Sequence, residues 1–443
     1  MPSPSPNAAE SPRTIGLFTA GGIVIANIIG TGVFTSLGFQ LSSIHSGFAL
    51  IMLWIVGGIA AVCGALCYGE LSAALPRSGG EYHFLSAIYH PAIGFMAGFV
   101  SATVGFAAPI ALSAMAFGKY FNGAFFSFTS PEAVSFLVVW IVTIFHLSKL
   151  EVGSVFQNLW TVLKVLLIAA LIGAGFFVAP KQPVSFFPGH DDSSAIFSAA
   201  FAVSLVYVMY SYSGWNAASY ITGEIKEPER TVPRSLLLGT VIVIALYVLL
   251  NAAFLITTPP GELSGHLEVA LIAGKHIFGE NGGRIVGGVI CLGLVSAISS
   301  MTWIGPRVTM SMGEDHWFLR ALGRKNRHGV PAFAIGLQLL VVNLLLLTGK
   351  FDLVVIYIQF TLLLCSLLTV VGVVVLRKTQ PQLSRPYRVW LYPLPPVIFS
   401  VITIWMMVYL LQSNPRESLA GLLTALLGLL LYFCAGKRLS PAT

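Results

Sequence analysis

Three stretches of this sequence carry residues able to do chemistry without any obvious catalytic group. The first is Ala26-Asn27-Ile28-Ile29-Gly30-Thr31-Gly32-Val33-Phe34, inside an apolar run from Ile15 to about Leu37. Two glycines two apart lower helical preference in the middle of a run long enough to cross a bilayer. The backbone can turn there, freeing N–H and C=O groups that are costly in lipid unless a cavity or ligand satisfies them. The plainer alternative is that Gly30 and Gly32 only let a neighbouring helix pack closely. In the second stretch, Tyr207-Val208-Met209-Tyr210-Ser211-Tyr212-Ser213-Gly214-Trp215-Asn216, hydroxyls, a glycine and aromatics replace aliphatic filling. Ser and Gly weaken a helix locally, so another break is expected here, the alternative being a packed helix face with Ser bonded back to the preceding turn. The third feature is Lys164, deep within the apolar run 154 to 179. An ionisable group at such depth is expensive and is usually turned toward a cavity or carbonyls. It can be a fixed cation bonding carbonyls freed in the first stretch, or an amine that gives and takes a proton.

A broken helix offers a specific kind of binding chemistry. Its N-terminal half-end presents unpaired N–H groups and positive dipole character to an anion, while a C-terminal half-end presents carbonyls to a cation. Two such breaks brought together suit a zwitterion, and an α-amino acid is the simplest one.

The elements that must position these groups are membrane helices. Of 443 residues, 56% are hydrophobic and only 9% charged, and the apolar residues fall in runs of spanning length, which makes the chain an all-α polytopic membrane protein. Apolar length and Gly, Pro and charged punctuation predict spans near 15 to 37, 49 to 74, 88 to 118, 132 to 149, 154 to 179, 194 to 222, 236 to 258, 284 to 312, 331 to 348, 353 to 376, 389 to 412 and 418 to 436. With the N-terminus inside, 17 Lys and Arg fall on the cytoplasmic side and 6 on the other, which predicts that both termini are cytoplasmic. That placement explains the net charge of +7 better than nucleic-acid binding does. Residues 1–12 and 437–443 read as cytoplasmic tails, the first polar, rich in Pro and Ser and disordered, with no cleavable signal expected. The connections are too short for a soluble catalytic domain.

The breaks fall in the first and sixth spans, so a repeat of five would bring them into register. Because five is odd, the halves 13–179 and 194–376 would be inverted, with spans 389–436 added after them. Discontinuous helices in matching places of inverted repeats point to secondary transporters. The five cysteines, Cys63, Cys67, Cys291, Cys365 and Cys434, all lie in apolar runs without metal-ligand spacing, and read as packing residues. Glu70, Glu81, Glu224, Arg307, Asp315, His83, His146 and His316 lie near span ends or in loops, where interfacial and loop-ordering roles are expected. No residue is assigned to catalysis, and no cofactor or metal is called for.

At these residues the chain resembles the amino acid–polyamine–organocation transporters, and looks like an amino acid permease. The matching motifs are Asn27 to Phe34; Tyr68-Gly69-Glu70-Leu71 with Pro76-Arg77-Ser78-Gly79-Gly80-Glu81-Tyr82; Ser213-Gly214-Trp215-Asn216 with Glu224 and the stretch from Glu227 to Arg234; Arg307 with Glu314-Asp315; Gly329-Val330-Pro331; and Arg385-Pro386-Tyr387-Arg388. The resemblance implies a leucine-transporter-like five-plus-five inverted repeat plus two C-terminal helices, about twelve in all. It implies that the Thr31 and Gly32 amides hold a substrate carboxylate beside Gly30, and that carbonyls around Ile28 and Tyr210 receive the amino group. Ser211, Ser213 and Gly214 complete the expected site, Tyr210 acts as a gating aromatic, and the Lys164 ammonium stands where relatives hold sodium. Thr31 and Ser213 are bulkier than the family's usual residues, and Ser299-Ser300-Met301 offers little bulk for gripping a long side chain.

The expectation is therefore a sodium-independent permease, not an enzyme, for small or medium neutral L-amino acids, working by alternating access as proton symporter or exchanger. A non-transporting sensor on the same fold and a polyamine or cationic amino acid transporter are the alternatives. Its partners would be the amino acid, the lipid bilayer and, in one form, protons; a partner subunit is left open. The membrane would be the plasma (cell inner) membrane.

Overall fold

The computed structural model describes residues 13–125, 130–148, 153–177, 183–190, 192–326 and 329–435, with only the backbone for 148 and 153–160. The expected tails, 1–12 and 437–443, lie outside the described residues, as do Lys149, Lys181, Arg327, Lys437 and Arg438.

The first span is two helices, α1 (Leu17–Ile28) and α2 (Gly32–Leu41), followed by α3 (Gly47–Ala74). Ser46 starts α3 as a side-chain cap, accepting from the Ala49 amide at 3.2 Å. A short helix, α4 (Glu81–Ile88), precedes the third span, which is α5 (Pro91–Val100), a π-helical turn at Ser101–Gly105, and α6 (Ala107–Ala124). Next come α7 (Pro131–Ser148), α8 (Gly153–Phe177) and the short α9 (Asp192–Ile196). The sixth span is α10 (Ala199–Tyr212) continued by a 3-10 helix, Ala217–Glu224. After it run α11 (Pro228–Thr257), the one-turn α12 (Pro260–Leu263), α13 (Val269–Asp315), a 3-10 turn at Trp317–Leu319, α14 (Ala332–Leu346), α15 (Phe351–Thr379), α16 (Leu394–Ser413) and α17 (Pro415–Cys434).

Eight of these segments are long and apolar enough to cross a membrane. The shorter apolar α7, α8 and α14, with α10 and its 3-10 continuation, bring the candidate crossings among the described residues to the expected number. The outer faces carry large apolar side chains, such as Phe145 at 70% and Leu423 at 63% exposure, which suits lipid and not water. Three boundaries differ most from expectation. Helix α11 begins at Pro228, where its span was expected from 236. The third span runs on to Ala124, and α13 begins before the expected eighth span, with Gly279 (φ 76°) breaking it so that 269–278 forms a separate arm. Glycine alone adopts that backbone angle without a steric cost, and an apolar-run count cannot see it.

Inside, α1 and α3 pack on α11, α2 packs on α10, and α6 packs on α13. Trp54, Tyr212 and Tyr247 meet edge-on or tilted at 5.3 to 6.0 Å between these helices. On the face that carries residue 13, Glu70 is 1% exposed. It accepts from Arg377 Nε at 2.8 Å and Nη2 at 2.5 Å and from the Val389 amide at 2.7 Å, with Arg385 beside it. One carboxylate thus ties α3 to α15 and to the segment leading into α16.

Candidate functional site

Both expected breaks are present. Residues 29–31 separate α1 from α2, and residues 213–216 separate α10 from the 3-10 helix. The local causes differ between the glycines. A Cβ on Gly32 would lie 2.4 Å from the Ser211 Cα, so this glycine brings two backbones together. A Cβ on Gly30 would meet only the Ile28 oxygen at 3.9 Å, so Gly30 faces open space. Gly214 has φ +99°, and its Cβ would sit 2.8 Å from Asn27 backbone atoms. The two breaks therefore lie against each other at both ends.

Three side chains from other spans bond the first span's carbonyls. Lys164 Nζ donates to Ile29 O at 2.9 Å, with its methylenes against Gly293 of α13. Tyr247 OH donates to Ile28 O at 2.8 Å, and Tyr120 OH to Phe34 O at 2.7 Å. Tyr247 and Tyr120 were not among the expected site residues. The signal was available, because a hydroxyl in the middle of an apolar run needs a partner.

The donors at the break are free. Thr31 precedes α2 but does not cap it; its Oγ1 shares a 2.5 Å hydrogen bond with Tyr210 OH. Among the described residues, no acceptor is found for the amides of Thr31, Gly32 and Val33, which leaves the anion-binding end of α2 unoccupied by protein groups. Of the carbonyls around Ile28 and Tyr210, some are already engaged and others are free among the described residues. Ile28 O already receives the Gly30 amide and Tyr247, and Tyr210 O receives both the amide and the hydroxyl of Ser213. The carbonyls of Ser211 and Tyr212, at the end of α10, receive no hydrogen bond among the described residues. Ser211 Oγ is engaged with Tyr207 O at 2.8 Å and Ser36 Oγ at 2.9 Å.

One side of the breaks is closed by rings. Phe39 stacks on Tyr207 at 5.1 Å and on Phe351 at 5.8 Å, and Tyr210 meets Phe351 edge-on. On the other side, toward the face carrying residue 13, lies a cavity of about 90 Å³. Among the expected site residues Ser213 and Gly214 line it, together with Asn27 and the π-helical turn of the third span, which contributes Ser101 and Gly105. π-Turns recur at functional sites. Ile28, Gly30, Thr31, Gly32, Tyr210 and Ser211 lie at the breaks but not on this cavity wall.

Glu81 does line it. It is 2% exposed, where a loop position had suggested an interfacial role. Glu224 pairs with Arg307 at 3.1 Å, and Arg307 lies over the Trp303 ring. Asp315 accepts from Arg77 at 3.1 Å and from Tyr82 OH at 2.6 Å. No cluster of three or more metal-ligating side chains occurs among the described residues.

Comparison with known proteins places these features in context. The family model described as amino acid permease matches residues 15–431. The b(0,+)-type amino acid transporter 1 of Mus musculus is 27% identical over 429 residues, covering 95% of this chain and 87% of that protein. The Asc-type amino acid transporter 1 of Mus musculus is 27% identical over 439 residues, covering 95% of this chain and 81% of its own. The large neutral amino acids transporter small subunit 2 of Mus musculus is 27% identical over 436 residues, covering 95% and 80%.

Proposed function

Since the chain belongs to the amino acid permease family, we propose that it is a secondary transporter that carries small or medium neutral L-amino acids across a membrane by alternating access. The observation that carries this reading is the apposition of two broken spans with free amides at Thr31, Gly32 and Val33 and free carbonyls at Ser211 and Tyr212. An α-carboxylate takes the amides and an α-ammonium takes the carbonyls. Spans one to five (13–179) and six to ten (194–376) form inverted repeats, with 389–436 added, because the breaks sit in the first and sixth crossings.

The binding is sodium-independent, since the Lys164 ammonium already occupies Ile29 O, an oxygen of the kind a sodium ion would need. The Thr31 methyl and the Ser213 hydroxyl take up room at the breaks, which favours short side chains. The face carrying residue 13 is cytoplasmic, in keeping with the bias of 17 basic residues to 6, so both termini are inside; the plasma membrane is the membrane we assign. One relative is named a small subunit, and a partner subunit fits this chain too. It would bind without a disulfide from the outer face, because Cys63, Cys67, Cys291 and Cys365 are buried and the exposed Cys434 ends α17 on the other face.

The test is whether both charges of the substrate are needed. Purified protein is melted in detergent with L-alanine, with L-alaninamide, which lacks the carboxylate, and with propionate, which lacks the amine. A ligand at about 100 times its Kd stabilises by roughly 2.7 kcal/mol. L-Alanine, or another neutral amino acid with its matching analogues, should raise the melting temperature and the two analogues should not. Equal stabilisation by either analogue overturns the two-ended site.

A further inference from the structure

We propose that Glu81 is the proton-binding group of the transport cycle, holding a proton while the cavity is shut and releasing it to water when the cavity opens toward the face carrying residue 13. The inference rests on the transport reading above and adds the residue that couples protons to it. Glu81 opens α4 directly after Gly79 and Gly80, whose φ values of +118° and +52° turn the chain from the end of α3 back into the protein. That turn puts a carboxyl on the cavity wall with Asn27, Ser213 and Gly214.

Its surroundings are neutral. Tyr68 OH and Ser366 Oγ both donate to Oε1, Ser366 at 3.0 Å. Among the described residues no donor is found for Oε2, and no Lys, Arg or His pairs with the carboxyl. Glu70, Glu224 and Asp315, on the same face, are each matched to an arginine. The titratable groups that face Glu81 are Tyr68 of α3, Tyr220 of the 3-10 helix and Cys365 of α15. On α4 itself, Tyr82 is bonded to Asp315. His83 is pushed down to about 4 by burial and by Arg77, so it brings no positive charge at neutral pH.

Burial raises the Glu81 carboxyl above its ordinary value, against Tyr68 and Ser366, whose hydrogen bonds favour the anion. The start of α4 favours the anion as well. A carboxyl balanced in this way changes charge when water reaches it. In the shut cavity burial favours the protonated form. Hydration removes the burial penalty, the donors and the helix end then stabilise the anion, and the proton leaves to that water as hydronium. The donors come from different spans, two and ten, so a movement that opens the cavity also changes their grip. This makes no demand on Lys164, whose ammonium is already committed to Ile29 O.

The experiment uses the full chain in sodium-free proteoliposomes holding a pH-sensitive dye, with labelled L-alanine or whichever neutral amino acid the wild type exchanges. The wild type should show substrate-induced proton entry and exchange whose rate changes with internal pH. Glu81→Gln, fixed in the neutral form, should lose proton entry by tenfold or more and lose the part of the pH dependence of exchange that Glu81→Asp retains. Glu81→Asp should keep proton entry, which guards against a Gln variant that fails to fold. Wild-type transport with no proton entry overturns the inference and leaves the transport reading intact, whereas absence of any saturable amino acid uptake, by exchange or under a proton gradient, defeats the reading itself. Proton entry preserved in Glu81→Gln overturns the role, and so does a selective loss of arginine uptake there, which would make Glu81 a counter-ion for cationic side chains.

Discussion

Lys164 reaches a single backbone oxygen, Ile29 O, at 2.9 Å, and that bond defines what its removal does. A buried acceptor deprived of its donor costs about 1–3 kcal/mol, placed here where the first span must stay unwound. Lys164→Ala should reduce transport by roughly ten- to a hundredfold, at 1.4 kcal/mol per factor of ten. Lys164→Met keeps the methylenes that lie against Gly293 but removes the donor, so it should lose as much. Uptake measured for both variants decides the matter, and near-normal transport by Lys164→Met would show that packing, not the ammonium, is what the span needs. The sequence revealed this residue because a lysine that deep in an apolar run has few tolerable surroundings. Glu81 was hidden by the opposite circumstance. A carboxylate in a polar, glycine-rich connection looks solvated, and only the fold shows that Gly79 and Gly80 turn it back into the protein.

At the scale of the elements, the two glycines of the first break have separate roles, and a pair of alanine substitutions separates them. Gly32→Ala places a Cβ 2.4 Å from the Ser211 Cα, so α2 and α10 must move apart. Overpacking of this kind costs about 1–3 kcal/mol. Its melting temperature should fall. Gly30→Ala meets nothing closer than 3.9 Å and should melt close to wild type, while its methyl occupies the space beside the free amides and weakens amino acid binding. Thermal melts with and without L-alanine distinguish the two, and identical behaviour would mean that both glycines serve packing alone. The existence of the breaks was legible in the sequence from Gly30, Gly32, Ser213 and Gly214. Their acceptor pattern was not, because whether Ile28 O is free depends on Tyr247, more than two hundred residues away. The same holds for Gly279, whose positive φ leaves no mark in an apolar-run count.

For the whole molecule, the run of apolar helices of membrane-crossing length was readable because lipid permits so few backbone solutions. The ties between spans were not readable. Glu70 of α3 binds Arg377 of α15 and the Val389 amide, and nothing local to Glu70 names those partners. The molecule is closed on one side of the breaks by the Phe39, Tyr207 and Phe351 stack, with a cavity on the other, an arrangement compatible with alternating access, which forbids only a state open to both sides at once. The central claim, that a zwitterion held between the two breaks is carried across, is tested most directly by uptake of labelled amino acids, L-alanine first, into sodium-free proteoliposomes. Empty vesicles, vesicles preloaded with unlabelled amino acid and vesicles under an inward proton gradient are compared. The account predicts saturable uptake, without sodium, in the preloaded or the proton-driven vesicles. Absence of saturable uptake of any amino acid in both would contradict it.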